Sequence, residues 1–242
     1  MAKNDSSKLS PQKSSRGDIQ QFLAQARQLP ATQANQAGRL IFAIDATASR
    51  QPTWDLARGI QGEMFSSTQK LGGVRTQLCY YRGFHQFHAS AWLNNSKDLL
   101  QQMNAVSCLG GHTQIARVLQ HAIDEAQKNK INGVIFIGDA CEEDADGLAN
   151  LAGQLGIRAV PLFIFHEDCY SDSVNTQVKT IFQQLAKLSG GAYLPFNHNS
   201  AHALAALLGA IAVYASGGLK ALKQQGGQAA VQLLSHLDKD RS

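Results

Sequence analysis

Two stretches of the chain are apolar at nearly every position and then stop at a carboxylate: Leu40-Ile41-Phe42-Ala43-Ile44-Asp45 and Val134-Ile135-Phe136-Ile137-Gly138-Asp139. A strand covered on both faces reads as a continuous apolar run rather than an alternating one, so both are expected to be inner strands of a sheet. Helical spacing appears around them. Residues 53–66 are expected to form a helix opened by Pro52 and Thr53, followed by helices at 96–105, 113–128, 143–155, 173–188 and 200–215. In the second of these, Ile115, Val118, Leu119, Ala122 and Ile123 share one face. Residues 76–82 and 88–93 read as an antiparallel hairpin turning at Gly83 and Phe84. Strands at 39–45, 133–138, 157–165 and 192–196 complete the set, and Gly190-Gly191 is a natural helix stop.

Strands alternating with helices predict an α/β fold of three layers. Its sheet should be mostly parallel, with one antiparallel edge strand from the hairpin and helices on both faces. Such sheets bind ligands beyond the carboxyl ends of their strands. The organisation expected is an extension at 1–37, a domain at 38–216 and a tail at 217–242. The extension begins with a Ser/Lys/Gln-rich stretch of the composition typical of disorder and carries a short amphipathic helix after Asp18, built on Ile19, Phe22, Leu23 and Ala26. In the tail, Val231, Leu234 and Leu237 recur at helical spacing.

Composition narrows the function classes. A chain of 242 residues with 44% hydrophobic content suits one globular core. The net charge of +4 is spread out with no dense Lys/Arg block, so a nucleic-acid partner is not expected. Four cysteines stand far apart without a Cys-x-x-Cys pair, which argues against a zinc knuckle or a disulfide framework and for reduced thiols. The polar first residues do not read as a secretory signal, and the expected location is the cytoplasm. Residues 201–219 lack Asp, Glu, Lys and Arg. Their Ala/Gly richness, with His202 and Ser216, favours a buried terminal helix over a membrane span.

The candidate chemistry lies at the strand ends. Asp45, Thr47 and Ser49 present a carboxylate and two hydroxyls at alternate positions, Thr113 follows Gly110-Gly111-His112 at a helix start, and Asp139 ends the second inner strand. An all-oxygen set suits a hard divalent cation such as Mg²⁺, with Mn²⁺ or Ca²⁺ as alternatives. Together the three loops resemble the metal-ion-dependent adhesion site (MIDAS) of von Willebrand factor type A domains. That pattern is Asp-x-Ser-x-Ser, a Thr after a Gly-rich turn, and an Asp at the end of the next central strand; here Thr47 replaces the first Ser and keeps its hydroxyl. The resemblance implies that Thr47 and Ser49 ligate directly, that Thr113 ligates directly or through water, and that Asp45 and Asp139 ligate or hold ordered waters. It further implies a non-enzymatic adaptor that captures an Asp or Glu of another protein, with a rim drawn from Arg50, Gln51, His112, Glu142 and Glu143.

Plainer roles compete at each position. Asp45, Thr47 and Ser49 could cap a turn, the acidic run 142–146 could favour the next helix N-terminus, and His112 could be a packing residue. An enzyme of the haloacid-dehalogenase type is the main rival function, since Gly138-Asp139 with Asp144 is similar to one of its motifs. It needs Asp-x-Asp at the first loop, where Thr47 stands in place of the general acid and base. A metal-free scaffold using both chain ends is the third reading. His85 and His88 fall on opposite strand faces, His166-Glu167-Asp168-Cys169 reads as loop, and Trp54 as a packing residue.

Overall fold

In β1, Gly38–Asp45, every residue except Arg39 is buried, as an inner strand requires. The computed structural model describes residues 37–167, 172–196 and 201–237. The helix expected near residues 18–28 lies outside them. After β1 the chain forms α1 (Gln51–Ile60), α2 (Gly62–Ser66), β2 (Val74–Arg82), β3 (Gln86–Leu93), α3 (Ser96–Asn104), α4 (Ile115–Lys128) and β4 (Gly133–Gly138). It continues through α5 (Ala145–Ile157), β5 (Leu162–Glu167), α6 (Asp172–Ser189), β6 (Ala192–Phe196), α7 (Ala201–Gln225) and α8 (Gly227–Leu237).

Six strands form one sheet in the order β3-β2-β1-β4-β5-β6. The β2–β3 hairpin is antiparallel and every other pairing is parallel. Parallel pairing brings the carboxyl ends of β1, β4 and β5 to one edge, and these are the ends that carry Asp45, Asp139 and Glu167. Alternate side chains of β1 point to opposite faces. Leu40, Phe42 and Ile44 join a core with Trp54, Met64, Leu204, Leu208 and Ile211, whereas Ile41 and Ala43 join another with Val118, Leu119, Leu148 and Phe182. The result is the three-layer α/β arrangement expected.

Several element boundaries differ from the pattern. The run 53–66 is divided at Gln61, whose backbone stays helical; flanking Gly59 and Gly62 are weak helix formers. The apolar run from Ile157 does not open a strand. Ile157 closes α5 with 86% exposure, Ala159 turns the chain at φ 54°, and β5 starts only after Pro161. Helix α7 passes the expected stop at 215 and bends at Gly218 (φ 67°).

The segment beyond residue 217, read from sequence as a tail, contributes Leu222, Ala230, Leu233 and Leu237 to the first core. Its buried face is centred on Leu233, while Val231 is 64% exposed. Helix α7 is long and apolar enough to cross a membrane, and Leu204, Leu208, Ile211 and Ala212 on it are packed in the core. Its close approach to α2 depends on Gly209, where a Cβ would lie 2.6 Å from Ser67 Oγ.

Candidate metal centre

The first loop is shaped by Asp45. Its Oδ1 accepts from the Thr47 backbone N–H at 2.7 Å and its Oδ2 from the Tyr81 hydroxyl at 3.1 Å. Thr47 then precedes a single 3₁₀ turn, Ala48–Arg50, whose N-terminus its hydroxyl does not cap. Capping therefore accounts for Asp45 in part and for Thr47 not at all.

Backbone hydrogen bonds fix this loop to its neighbours. Ala46 N–H donates to Tyr81 O at 2.9 Å, Leu109 N–H to Ala46 O at 3.0 Å, and Gly83 N–H to Leu109 O at 3.2 Å. The Gly-Gly turn consequently lies directly on the hairpin turn. A Cβ at Gly111 would sit 2.1 Å from Gly83 O, so a side chain there is sterically barred.

Thr113 and the third loop are joined reciprocally. Thr113 N–H donates to Glu142 Oε2 at 3.1 Å, and Thr113 Oγ1 accepts from Glu142 N–H at 3.0 Å. Glu143 reaches the uncapped start of α4, where its two carboxylate oxygens accept from Ile115 N–H at 2.5 Å and Ala116 N–H at 2.9 Å. A helix N-terminus presents unsatisfied donors and favours negative charge, so Glu143 is a cap supplied from another loop. Asp144 does the same within its own helix, accepting from Gly147 N–H at 2.7 Å.

Asp45, Thr47, Ser49, Thr113 and Asp139 all line one cleft of about 250 Å³, with Ala48, Gly110, Gly111, Ala140 and Glu142. Small residues fill the spaces between the oxygens. Asp45 and Asp139 are 1% and 2% exposed. Burial foremost, opposed by hydrogen bonds from Thr47 and Tyr81 and assisted by the charge of Asp139, raises the Asp45 carboxyl to about 6. Burial, and then the charge of Asp45, pushes the Tyr81 phenol well above its ordinary value. Two buried acids facing one hydroxyl-lined cleft fit a hard divalent cation, which would offset the cost of keeping both ionised. Among the described residues, no group of three or more His, Cys, Asp or Glu offers a rival metal site.

The expected rim residues are dispersed. His112 and Glu142 stand at the mouth, their Nδ1 and Oε2 atoms 3.1 Å apart, with His112 also edge-on to Phe84 at 5.2 Å between ring centroids. Gln51 turns to Asp55 within α1 at 3.0 Å. Glu143 is occupied by α4. Arg50, expected at the rim, is 3% exposed, because its guanidinium is drawn inward to Asp139 (2.8 Å) and Glu167.

Three residues near the site escape the motif. Tyr81 supports Asp45, Glu167 pairs with Arg50 and Thr53, and Phe84 presents an aromatic face, 68% exposed, next to His112. Glu167 was expected in a loop but ends β5 fully buried. A run of four polar residues masked the strand end, and the signal that could have revealed it is the apolar run Leu162–Phe165 leading into it. His166, its neighbour, points to the opposite face, with Nδ1 2.8 Å from Tyr193 Oη. Asp168 and Cys169 lie outside the described residues. Trp54 is fully buried and donates to Met103 O at 3.1 Å.

Neither protein-family models nor curated protein sequences match the chain. Solved structures do. The vWF domain of the type V pili tip protein Mfa5 from Porphyromonas gingivalis aligns at 11% identity over 73% of this chain and 94% of that one, with a TM-score of 0.56. The VWA domain of SpRpn10 aligns at 11% identity over 70% and 95%, with a TM-score of 0.53. Proximal thread matrix protein 1 from the mussel byssus, in a form with a zinc-occupied MIDAS motif, aligns at 11% identity over 73% of this chain and 46% of its own, with a TM-score of 0.56. This chain thus spans less than half the length of the mussel protein. At such identities the likeness is one of fold: this chain has the three-layer fold seen in von Willebrand factor type A domains, with the same mostly parallel sheet and one antiparallel edge strand.

Proposed function

We propose that the chain is a protein-interaction module whose strand-end cleft holds a divalent cation and uses it to capture an acidic side chain of a partner. The convergence of Asp45, Thr47, Ser49, Thr113 and Asp139 from three loops on one cleft carries this reading. Thr47, Ser49 and Thr113 supply neutral hydroxyl ligands, and Asp45 and Asp139 supply the charge. Mg²⁺ is the cation proposed, with Mn²⁺ or Ca²⁺ able to occupy the same hard-oxygen set. When bound, it would present an open coordination position to a carboxylate.

Glu142 and Gly110 line the cleft; His112 meets Glu142 at 3.1 Å, the exposed Phe84 packs edge-on against His112, and the exposed Leu109 precedes Gly110. On this reading Phe84 and Leu109 would flank a partner's acidic residue. A non-enzymatic role is supported by the residue at position 47, where a hydroxyl stands and a haloacid-dehalogenase-type phosphatase would need a carboxylate. The free thiols Cys79, Cys108 and Cys141 suit a reducing, cytoplasmic setting.

Titration calorimetry with MgCl₂ and MnCl₂ tests the proposal. The wild-type chain should bind one cation, and the pair Thr47→Ala/Ser49→Ala should weaken it by at least about tenfold while circular dichroism stays the same. A second arm adds a panel of Asp- and Glu-containing peptides with and without EDTA. Peptide binding that is indifferent to EDTA, or cation binding untouched by the hydroxyl deletions, would overturn the reading.

A further inference from the structure

Arg50 and Glu167 have no place in the five-residue motif, yet both are buried against it. The guanidinium of Arg50 bridges three segments that the fold brings to the sheet edge. Its Nη2 lies 2.8 Å from Asp139 Oδ2, its Nη1 donates to Glu167 Oε2 and, at 3.3 Å, to Thr53 Oγ1, and its Nε reaches Ser49 Oγ at 3.4 Å. The Arg50 and Asp139 side chains are 4% and 2% exposed and that of Glu167 is fully buried. Among the described residues Arg50 is the one buried Arg or Lys. A guanidinium stays ionised under all ordinary conditions, and its planar fork can serve two carboxylates at once.

From this geometry we infer that Arg50 is a resident counter-ion that sets the cation affinity of the cleft by competing for Asp139, and that Glu167 restrains it by drawing the guanidinium towards β5. The inference rests on the proposed cation site. Asp139 cannot give its full charge to a cation while one of its oxygens faces Arg50, and a divalent ion entering the cleft meets the repulsion of a fixed positive charge across a poorly solvated gap. Asp45, which has no such partner and is held by Thr47 and Tyr81, is left as the principal anionic group. The cleft is thereby tuned towards weak, exchangeable cation binding. Arg50 is a positioning residue here, acting through Asp139.

Two variants with opposite expected signs test the idea by calorimetric titration of MnCl₂ into the full chain. In Glu167→Gln the restraint is removed and Arg50 turns more fully to Asp139, so the Kd should rise about threefold or more. In Arg50→Gln/Glu167→Gln one positive and one negative charge are removed together, leaving net charge unchanged and Asp139 free. There the Kd should fall about tenfold below that of the wild type. If Arg50 were only a structural brace, both variants would weaken binding or leave it unchanged, and the inference would fail while the proposed function stood. Binding by the double variant alone would support the competition and refute cation use by the native chain. Absence of binding in all three would sink both readings. Thermal melting in EDTA identifies a variant that fails to fold, and Arg50→Lys/Glu167→Gln is then measured. It keeps the charge without the fork and so cannot test removal of the competitor; Arg50→Met/Glu167→Leu, which removes both charges with apolar side chains, is measured beside it, and the inference requires the Kd of that variant to fall below that of the wild type.

Discussion

The Tyr81 hydroxyl donates to Asp45 Oδ2 at 3.1 Å, and the two residues are also register partners on the adjacent parallel strands β1 and β2. One hydrogen bond therefore ties the leading carboxylate of the cleft to the sheet itself. It does not fully offset burial, because the Asp45 carboxyl still rises from 3.8 to about 6.

That rise has a defined consequence for stability. The folded chain holds the Asp45 proton more tightly than the unfolded chain does, so between about pH 4 and pH 6 ionisation of Asp45 costs stability as the pH rises, and above that range the loss is complete. Asp45→Asn removes the cost while its amide oxygen can still accept from Thr47 N–H. In EDTA at about pH 7.5, urea unfolding should find Asp45→Asn more stable than wild type by roughly 2–3 kcal/mol, with the gap closing towards about pH 4. Added Mg²⁺ should stabilise only the wild type. An Asp45→Asn variant less stable at neutral pH would contradict the burial argument.

Glu143 should behave as a helix cap and not as part of a binding rim. Glu143→Ala strands two backbone donors at the start of α4 and should lower stability by about 1–2 kcal/mol, with amide exchange accelerated selectively at Ile115 and Ala116. Glu143→Gln, which keeps one carbonyl acceptor, should recover part of the loss.

The paired glycines of the second loop should respond very differently to a methyl group. At Gly111 a Cβ would fall 2.1 Å from the carbonyl oxygen of Gly83, whereas at Gly110 nothing lies within 4 Å. Gly111→Ala should separate the turn from the hairpin, costing roughly 2–4 kcal/mol and disrupting the proposed cation site, while Gly110→Ala should stay within about 0.5 kcal/mol of wild type. Chemical denaturation of both variants checks the contrast.

Helix α8 offers a comparable pair. Leu233 is fully buried and Val231 is 64% exposed. Leu233→Ala should cost about 2–4 kcal/mol and Val231→Ala should be close to neutral, as judged by denaturant midpoints. Equal, small effects would mean that the segment after residue 217 does not support the domain core.

Much of this architecture was legible along the chain. Strands β4 and β6 fall at the residues the apolar pattern predicts, and β1 and the β2–β3 hairpin fall within two residues of it. The reason is that burial on both faces leaves no polar position in an inner strand, a local signature that needs no knowledge of the partner strand. The apolar run beginning at Ile157 misled for the same reason inverted. An exposed Ile at a helix end imitates the start of a buried strand, and only the turn at Ala159 separates them. The five oxygen-bearing residues picked out along the chain each stand at or near the end of an element that periodicity locates, and all five line one cleft.

What periodicity could not show is which side chains meet across the sheet edge. Arg50 and Glu167 are 117 positions apart, and Glu143 reaches a helix that begins 28 positions earlier. In sequence Arg50 reads as an exposed charge after a loop, because nothing local records that two buried carboxylates wait for it on β5 and beyond β4. The chain by itself determined the elements, the inner strands and the oxygen donors, because those follow from burial and spacing within a few residues. The tertiary structure alone decided that the donors share one cleft, that Glu143 is a cap and that Arg50 is a buried counter-ion, because each depends on parallel pairing that brings distant strand ends to one edge.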